Sequence, residues 1–286
     1  VHTMIIEFSA KIRRNWMRIS LLILLCFAPV LPQDEIKDDL IEKELSMTAV
    51  SKASQVSRDS LPPAAQRWLN RALPESHVRA TTIQIEQTGS IDIRGRWVPF
   101  TTSGTYSVNP LAFNWEAKLR MFSGMVIHAE DGHLDGEAWG AARLWGFIPM
   151  MKQRTGPEVL ASQIVRNLGE LAWVPEIALA CTELIWTDVG EETFMITYNS
   201  GSSTYSIRFD VDSSGDIIRA ASTSRVYETT GGRYAEAPWF YEYGDHQQFD
   251  GIRVPGSGSA TFKKSDGDWD YFKCQVISIK RTVLPF

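Results

Sequence analysis

The side chains best able to do chemistry lie between His128 and Glu137, a stretch with two histidines and four carboxylates. If the stretch forms one strand, alternate side chains share a face. That face would carry four groups of the metal-ligand type: Asp131, His133, Asp135 and Glu137. Metal sites normally draw their ligands from separate elements and support them with further hydrogen bonds. We therefore favour a polar solvent face over a divalent-cation site and expect no bound metal.

Other catalytic patterns are weak. The sequence has no Gly-x-Ser-x-Gly motif of the kind that presents a nucleophilic serine. Asp245 and His246 are adjacent, and a carboxylate beside an imidazole can orient it as a general base. A polar pair on an edge strand is the preferred interpretation. A hydrolase-type enzyme that uses a carboxylate, a histidine or a metal is therefore the alternative function, with no catalytic residue assigned.

An apolar patch precedes the second predicted helix and consists of Trp139, Leu144, Trp145, Phe147, Ile148, Met150 and Met151. Such a patch could line a ligand cavity or contact lipid. It could equally pack as core between a sheet and a helix, because aromatic side chains usually point inward and Met fills gaps. Its aromatic members Trp139, Trp145 and Phe147 are the best candidates for contact with an apolar ligand.

A charged pair lies just after this patch. Arg166 and Glu170 are four residues apart on a helix predicted over 156–171, so they are neighbours on its surface. Arg166 lies away from the centre of the helix's apolar stripe, which places its guanidinium against the flank of the sheet. Truncating an arginine bonded there would cost about 2–4 kcal/mol. Alternatively, Arg166 faces a cavity mouth and holds the acidic head of a lipid.

These residues must be positioned by a mixed set of elements. A first helix is predicted over 61–73, where Leu61, Ala65, Trp68, Leu69 and Ala72 share one face. The pattern has a period of two from Ala80 to Trp145 and again from Glu183 onward, which indicates strands. Polar, Gly-containing segments predict hairpin turns at 188–191, 199–201, 213–215 and 265–267. The sequence therefore predicts antiparallel strands interrupted by helices.

The N-terminal segment combines a basic head with an apolar run over residues 19–30. A run of about a dozen apolar residues has the length of a signal-peptide core and is short for a membrane span. We predict a signal sequence or N-terminal anchor over 1–32, a charged and Ser-rich tether over 33–60, and a single domain over 61–286. The protein is expected to be exported, either periplasmic or anchored facing the periplasm.

The charge and the cysteine content limit which partners and which chemistry the sequence supports. The net charge is −5 and no cluster of Lys and Arg follows Arg18, so nucleic acid is not expected as a partner. Cys181 and Cys274 could pair in an oxidising compartment or remain two buried thiols, which we favour. Neither belongs to a Cys-x-x-Cys pair, so redox and zinc chemistry have no support.

An ordered string of short motifs carries a family resemblance. It comprises Leu61-Pro-Pro-x-x-x-Arg67-x-Leu69, Gly89, Trp97-x-Pro-Phe100, Phe113-x-Trp115, Arg166-x-Leu168-x-Glu170, Trp173-x-Pro175, Trp186-x-Asp188, Pro238-Trp239 and Gly251-x-x-x-Pro255. From about Leu61 to Ile279 the chain resembles a bacterial family catalogued as domain of unknown function 6544. The resemblance implies one α+β domain with helices on one face of a curved antiparallel sheet, similar to half-barrel periplasmic lipoprotein carriers. It implies no activity, and the chain departs from the pattern at Asn167, where an aromatic residue often follows the arginine.

These features favour a non-enzymatic exported protein that binds a lipid or another apolar ligand and needs no cofactor. The candidate ligand-binding residues are Arg166, Glu170, Trp139, Trp145, Phe147 and Trp173. Association with a membrane through the N-terminal segment is compatible with this function.

Overall fold

Strands dominate the computed structural model, which describes residues 56–75, 80–107, 110–151, 153–229 and 232–282. These residues all belong to one compact unit, Glu44–Phe286. The predicted signal sequence or anchor over 1–32 lies outside the described residues, as does most of the predicted tether over 33–60.

Three helices and fifteen strands form within the described residues. The helices are α1 (Pro63–Ala72), α2 (Pro157–Glu170) and α3 (Pro175–Ala180). The strands are β1 (Thr82–Asp92), β2 (Trp97–Ser107), β3 (Ala112–Arg120), β4 (Val126–Leu134), β5 (Glu137–Leu144), β6 (Ile148–Pro149), β7 (Ile185–Gly190), β8 (Thr193–Ser200), β9 (Ser203–Val211), β10 (Ile217–Thr229), β11 (Arg233–Gly244), β12 (Gln247–Phe249), β13 (Ile252–Val254), β14 (Ser257–Lys264) and β15 (Gly267–Thr282). Short 3₁₀ turns cover Arg58–Ser60 and Phe122–Gly124.

Thirteen strands form one sheet in the order β6-β5-β4-β3-β2-β1-β15-β14-β11-β10-β9-β8-β7. Two meanders of sequential strands are visible in this order, one from β1 to β6 and one from β7 to β14. The strand β15 lies between β1 and β14 and joins the meanders by antiparallel pairing on both sides. The hairpin of β12 and β13 stands apart from the main sheet.

The sheet is curved, as the contacts of α2 show. This helix contacts β4 and β5 near one edge of the sheet and β9, β10 and β11 near the other. In a flat sheet β5 and β10 would lie about 38 Å apart, at about 4.8 Å per strand. A helix with its side chains is only about 10–12 Å wide. The sheet therefore curls around α2, and a curved antiparallel sheet is what the sequence and the resemblance predict.

The helical share is smaller than the prediction of an α+β fold implies. The helices contain 10, 14 and 6 residues, so the fold is mostly antiparallel sheet with few helices. All three bury side chains in the same core as the inner face of the sheet. The designation α+β therefore holds only roughly.

The helix α1 forms where the sequence predicts it. Pro62 and Pro63 suit the first turn, and the predicted apolar face is buried. Trp68 stacks at 5.8 Å on Phe194 and at 6.3 Å on Phe209, measured between ring centroids. This stack fixes α1 against β8 and β9.

Gly169 allows α2 to approach the sheet closely. A Cβ atom at this position would lie 2.9 Å from Cη2 of Trp239 and 3.3 Å from Cδ2 of Tyr241. The indole is held in place because its Nε1 donates to the hydroxyl of Tyr271 over 3.0 Å. At an exposed helix position Gly→Ala gains about 1 kcal/mol, whereas overpacking a core costs about 1–3 kcal/mol.

We therefore expect Gly169→Ala to lower the melting temperature measured by circular dichroism. An unchanged or higher melting temperature would show that α2 can shift away from Trp239 without loss.

The two cysteines in the described residues are free and buried. Burial raises the pKa of Cys181 to about 11, so this thiol stays protonated at neutral pH. The structure thus agrees with the favoured interpretation of two small buried thiols.

Candidate functional site

A buried ionic cluster joins α2 to the inner face of the sheet. Nε of Arg166 donates to Oε1 of Glu170 over 2.9 Å, and the two residues are only 8% and 2% exposed. The hydroxyl of Tyr106 on β2 donates to Oε2 of Glu170 over 2.9 Å. Burial and the neighbouring Glu170 raise the pKa of Tyr106 well above its ordinary value, so the phenol remains a donor. Both oxygens of Glu170 therefore have partners.

The guanidinium of Arg166 also lies against two aromatic rings. Its Cζ is 4.6 Å from the ring centroid of Trp115 and 5.1 Å from that of Phe113, both on β3. Nη1 lies 3.5 Å from Oδ2 of Asp131 on β4. Burial raises the pKa of Asp131, and the positive charge of Arg166 opposes this shift. Arg166 thus reaches the sheet as predicted, where it contacts two aromatic rings and the carboxylate of Asp131.

A second buried polar pair lies beside this cluster. Nε2 of His133 is 3.0 Å from Nδ2 of Asn167, and its ring stands edge-on to Phe113 at 5.4 Å. Burial lowers the pKa of His133 to about 3. The imidazole is therefore neutral at ordinary pH and accepts the amide proton. Asn167 is the position at which the chain departs from the family pattern.

The stretch from His128 to Glu137 does not form one strand face of four metal-ligand groups. The favoured prediction of a polar solvent face is also wrong, because His133 is only 2% exposed. Asp131 and His133 do share the inner face of β4, but the strand ends at Leu134. Asp135 and Gly136 have φ values of 50° and 79° and form the turn into β5. Asp-Gly is the strongest short hairpin signal. The turn that it forms places Glu137 on β5, away from Asp131 on β4. Within the described parts of the chain no group of three or more His, Cys, Asp or Glu is arranged to hold a metal ion.

Two of the candidate aromatic residues are buried and have partners. The indole of Trp139 donates to Oδ1 of Asn114 over 3.2 Å. The indole of Trp173 donates to the carbonyl of Pro255 over 3.0 Å. Both indole rings are therefore packed inside the protein.

The other two candidate aromatic residues are exposed. Phe147 is 69% and Trp145 is 50% exposed, and their rings stack at 6.4 Å. They belong to a set of exposed apolar side chains that we call the aromatic rim, which consists of Phe122, Trp145, Phe147, Ile148 and Met150. Nε1 of Trp145 lies 3.5 Å from the carbonyl of Gly124, which brings the 3₁₀ turn against the turn between β5 and β6. Trp145, Phe147 and the 3₁₀ turn that carries Phe122 therefore lie together at the end of these strands, and Ile148 and Met150 follow directly in the chain.

The backbone at Trp145 is unusual. Trp145 and Gly146 have φ values of 53° and 83°, and the amide of Phe147 donates to the carbonyl of Leu144 over 3.3 Å. This geometry is a type I′ turn, which favours Asn or Asp followed by Gly. A bulky residue with positive φ is a strained exception. The chain therefore holds a large indole in solvent at a conformational cost.

Sequence reasoning missed a second buried arginine. Arg225 on β10 is 7% exposed, lies 4.5 Å from the ring of Trp239, and donates to the hydroxyl of Tyr271 over 2.7 Å. Its Nε donates to the carbonyl of Ser162 on α2. The bulge between Ser222 and Arg225 that creates this site carries no recognisable signal in the sequence.

The structure places Asp245 and His246 in the connection between β11 and β12, so the prediction of a polar pair on an edge strand is wrong. Asp245 has a φ of 52° after the end of β11, and the carbonyl of His246 accepts from Nη1 of Arg253 over 3.0 Å. Burial lowers the pKa of His246, against the opposing effect of Asp216. The charges nearest to this imidazole come from Asp216 and Arg253, which form their own ion pair at 2.6 Å.

No helix in the described ranges combines the length and the apolar character that crossing a membrane requires.

The comparison with solved structures gives matches of low sequence identity and low TM-score. A LolA superfamily protein from Nitrosomonas europaea is 14% identical with a TM-score of 0.43, over 80% of this chain and 96% of that protein. A DUF1329 family protein from Desulfovibrio piger is 11% identical with a TM-score of 0.35, over 77% of this chain and 92% of that protein. No curated protein matches the sequence. The chain belongs to the family of unknown function DUF6544, whose model matches residues 51–274.

Proposed function

We propose that the protein is a non-enzymatic, exported binding protein for a lipid or another apolar ligand, and that the aromatic rim is the surface of contact. The observation that carries the proposal is the cluster of five large exposed apolar side chains at one end of the sheet. Exposed apolar residues scattered singly need no explanation, but a contiguous patch marks an interaction surface.

The turn geometry supports this role for the rim. Asn at position 145 would relieve the backbone strain and remove apolar surface from water, so folding alone does not favour tryptophan there. Trp has an apolar body and a polar Nε1, a combination that suits the boundary between water and lipid. The strain at Trp145 is therefore explained by a binding role.

The predicted N-terminal segment fits the same function. A signal sequence or anchor over 1–32 would deliver the domain to the periplasmic side of a membrane, where lipids are the abundant apolar ligands. A tether over 33–60 would leave the domain free to reach them.

A double variant, Trp145→Asn with Phe147→Ser, tests the proposal. Binding to phosphatidylcholine vesicles, measured by co-sedimentation, should fall at least about tenfold, because two apolar side chains no longer leave water. The melting temperature should stay the same or rise, because Asn-Gly is the preferred pair for this turn.

Ile277→Ser is the matched control, since Ile277 is 58% exposed on β15 and lies outside the rim. It should leave vesicle binding unchanged. Loss of binding in both variants to the same degree, or no binding by the unaltered protein, would contradict the proposed function.

A further inference from the structure

Basic side chains surround the aromatic rim on the outer face of the sheet. The register places Lys118 on β3 beside His128 on β4, and His128 beside Arg143 on β5. Arg120, one outward position closer to the strand end, is paired with Val126, whose carbonyl accepts from the amide of Trp145. Successive outward positions are about 7 Å apart along a strand. Lys118, Arg120 and Arg143 therefore lie within one or two such steps of the rim.

The turn between β1 and β2 adds two more cations at the same end of the sheet. Arg94 and Arg96 are exposed in this turn. Phe100 on β2 and Leu119 on β3 form the last pair of this ladder, so Trp97 at the start of β2 and Phe122 just after β3 lie at the same end of the sheet. Trp97 is itself 40% exposed. The rim and its cations thus extend from β1 to β6.

The charge along these strands changes sign with distance from the rim. On β3 and β4 the outward pair Glu116 and Glu130 lies farther from the rim than the pair Lys118 and His128. Glu130 contacts Arg143 at 3.6 Å. At the rim end Asp92 is the acidic side chain of β1, and it accepts from the indole of Trp269 over 2.8 Å. Along β1 to β5, exposed cations therefore outnumber exposed carboxylates at the rim end, although the net charge of the chain is −5.

We propose that this end of the sheet docks on the surface of a lipid bilayer that contains anionic headgroups. The inference rests on the proposed function and names the ligand of the same surface. Trp145, Phe147 and Phe122 enter the boundary between headgroups and acyl chains, which is the depth that aromatic side chains prefer. Lys118, Arg120 and the arginines of the first turn then lie at the depth of the phosphates.

The shape of this end suits a flat partner. Three connections, over residues 93–96, 121–125 and 145–147, end next to one another along the sheet, so they can touch one plane together. Attraction of basic residues to an anionic surface strengthens binding by about fivefold for each cation. The cations thus favour bilayers that contain anionic lipids, while the apolar side chains of the rim insert into the bilayer.

Co-sedimentation with two kinds of vesicle tests this inference. One kind is phosphatidylcholine alone and the other is phosphatidylcholine mixed with phosphatidylglycerol. Binding should be at least about tenfold tighter to the anionic vesicles at low salt, and this advantage should disappear at about 0.5 M salt because exposed charges are screened.

The double variant Lys118→Ser with Arg120→Ser should lose most of the anionic preference and keep its binding to neutral vesicles. Arg208→Ser is the matched control, because Arg208 is an exposed cation on β9, away from the rim, and it should keep the preference. Melting temperatures should be unchanged in both variants.

Three results are decisive. Anionic preference that the double variant loses and the control keeps supports the inference. Equal binding to both vesicle types overturns it and leaves the proposed function standing. If the protein binds neither the neutral nor the anionic vesicles, the proposed function is overturned, and the inference with it.

Discussion

Replacing Arg166 by alanine is expected to lower the free energy of unfolding by about 3–5 kcal/mol. The variant leaves the carboxylate of Glu170 buried with only the hydroxyl of Tyr106 as a partner. It also removes the contacts of the guanidinium with Trp115 and Asp131. Breaking one member of a buried pair is costly because the remaining charge has no solvent to replace its partner. Chemical denaturation monitored by tryptophan fluorescence measures the loss.

Arg208→Ala is the matched control for this variant. Arg208 also contacts a carboxylate, Asp210, at 3.1 Å, but its side chain is 51% exposed. An exposed pair contributes at most about 1 kcal/mol, so the control should lose little stability. A loss below about 1 kcal/mol for Arg166→Ala would contradict the structural role. Lost lipid binding with retained stability would instead favour the alternative in which Arg166 holds a lipid headgroup.

Acid should destabilise the protein through His133. The folded pKa of this residue is about 3, whereas an exposed histidine titrates near its ordinary value of 6.5. Between these two pH values the unfolded chain therefore binds a proton at His133 that the folded chain does not bind. The stability is complete above pH 6.5 and decreases as the pH falls toward the folded pKa, by at most about 1.4 kcal/mol per pH unit.

His133→Gln should remove this part of the pH dependence, because glutamine does not titrate. The variant keeps an amide group that can bond to Asn167, so it should fold. The groups nearest to His133 are Asn167 from α2, Phe113 from β3 and Asp131 from the same face of β4. His128→Gln is the control, since His128 lies on the outer face of β4.

Urea denaturation at several pH values between 4 and 7 measures the slope of stability against pH for each protein. The slope should be smaller in His133→Gln than in the unaltered protein and in His128→Gln. Three equal slopes would show that burial does not hold the proton off His133.

Local patterns in the sequence predict the elements well. The helices α1 and α2 lie within one or two residues of their predicted bounds, because their apolar stripes have a clear period and prolines mark their starts. The turns predicted at 199–201, 213–215 and 265–267 separate strands as expected. The turn predicted at 188–191 is displaced, because β7 continues to Gly190 before β8 begins at Thr193.

The candidate site is harder to predict, because contacts between residues far apart in the chain decide which side chains are buried and which are exposed. The run from Leu144 to Met150 has no period that separates core from surface, so cavity, core and lipid contact stayed open alternatives. Trp145-Gly146 is a turn that sequence statistics do not anticipate. The partners of Arg166 and Glu170 lie on β2, β3 and β4, which are neighbours in the sheet but lie far from α2 in the chain. No local pattern in the sequence encodes these pairings.

The position of β15 has a consequence for the order in which the chain can fold. Each meander can form from strands that follow one another in the chain, but they are joined only when Gly267–Thr282 takes its place between β14 and β1. A chain that emerges from a ribosome N-terminus first therefore carries β1 with one unpaired edge until the last strand has emerged, and the edge of β14 joins it shortly before that. The facing edges of β1 and β14 are then unpaired and can recruit other chains.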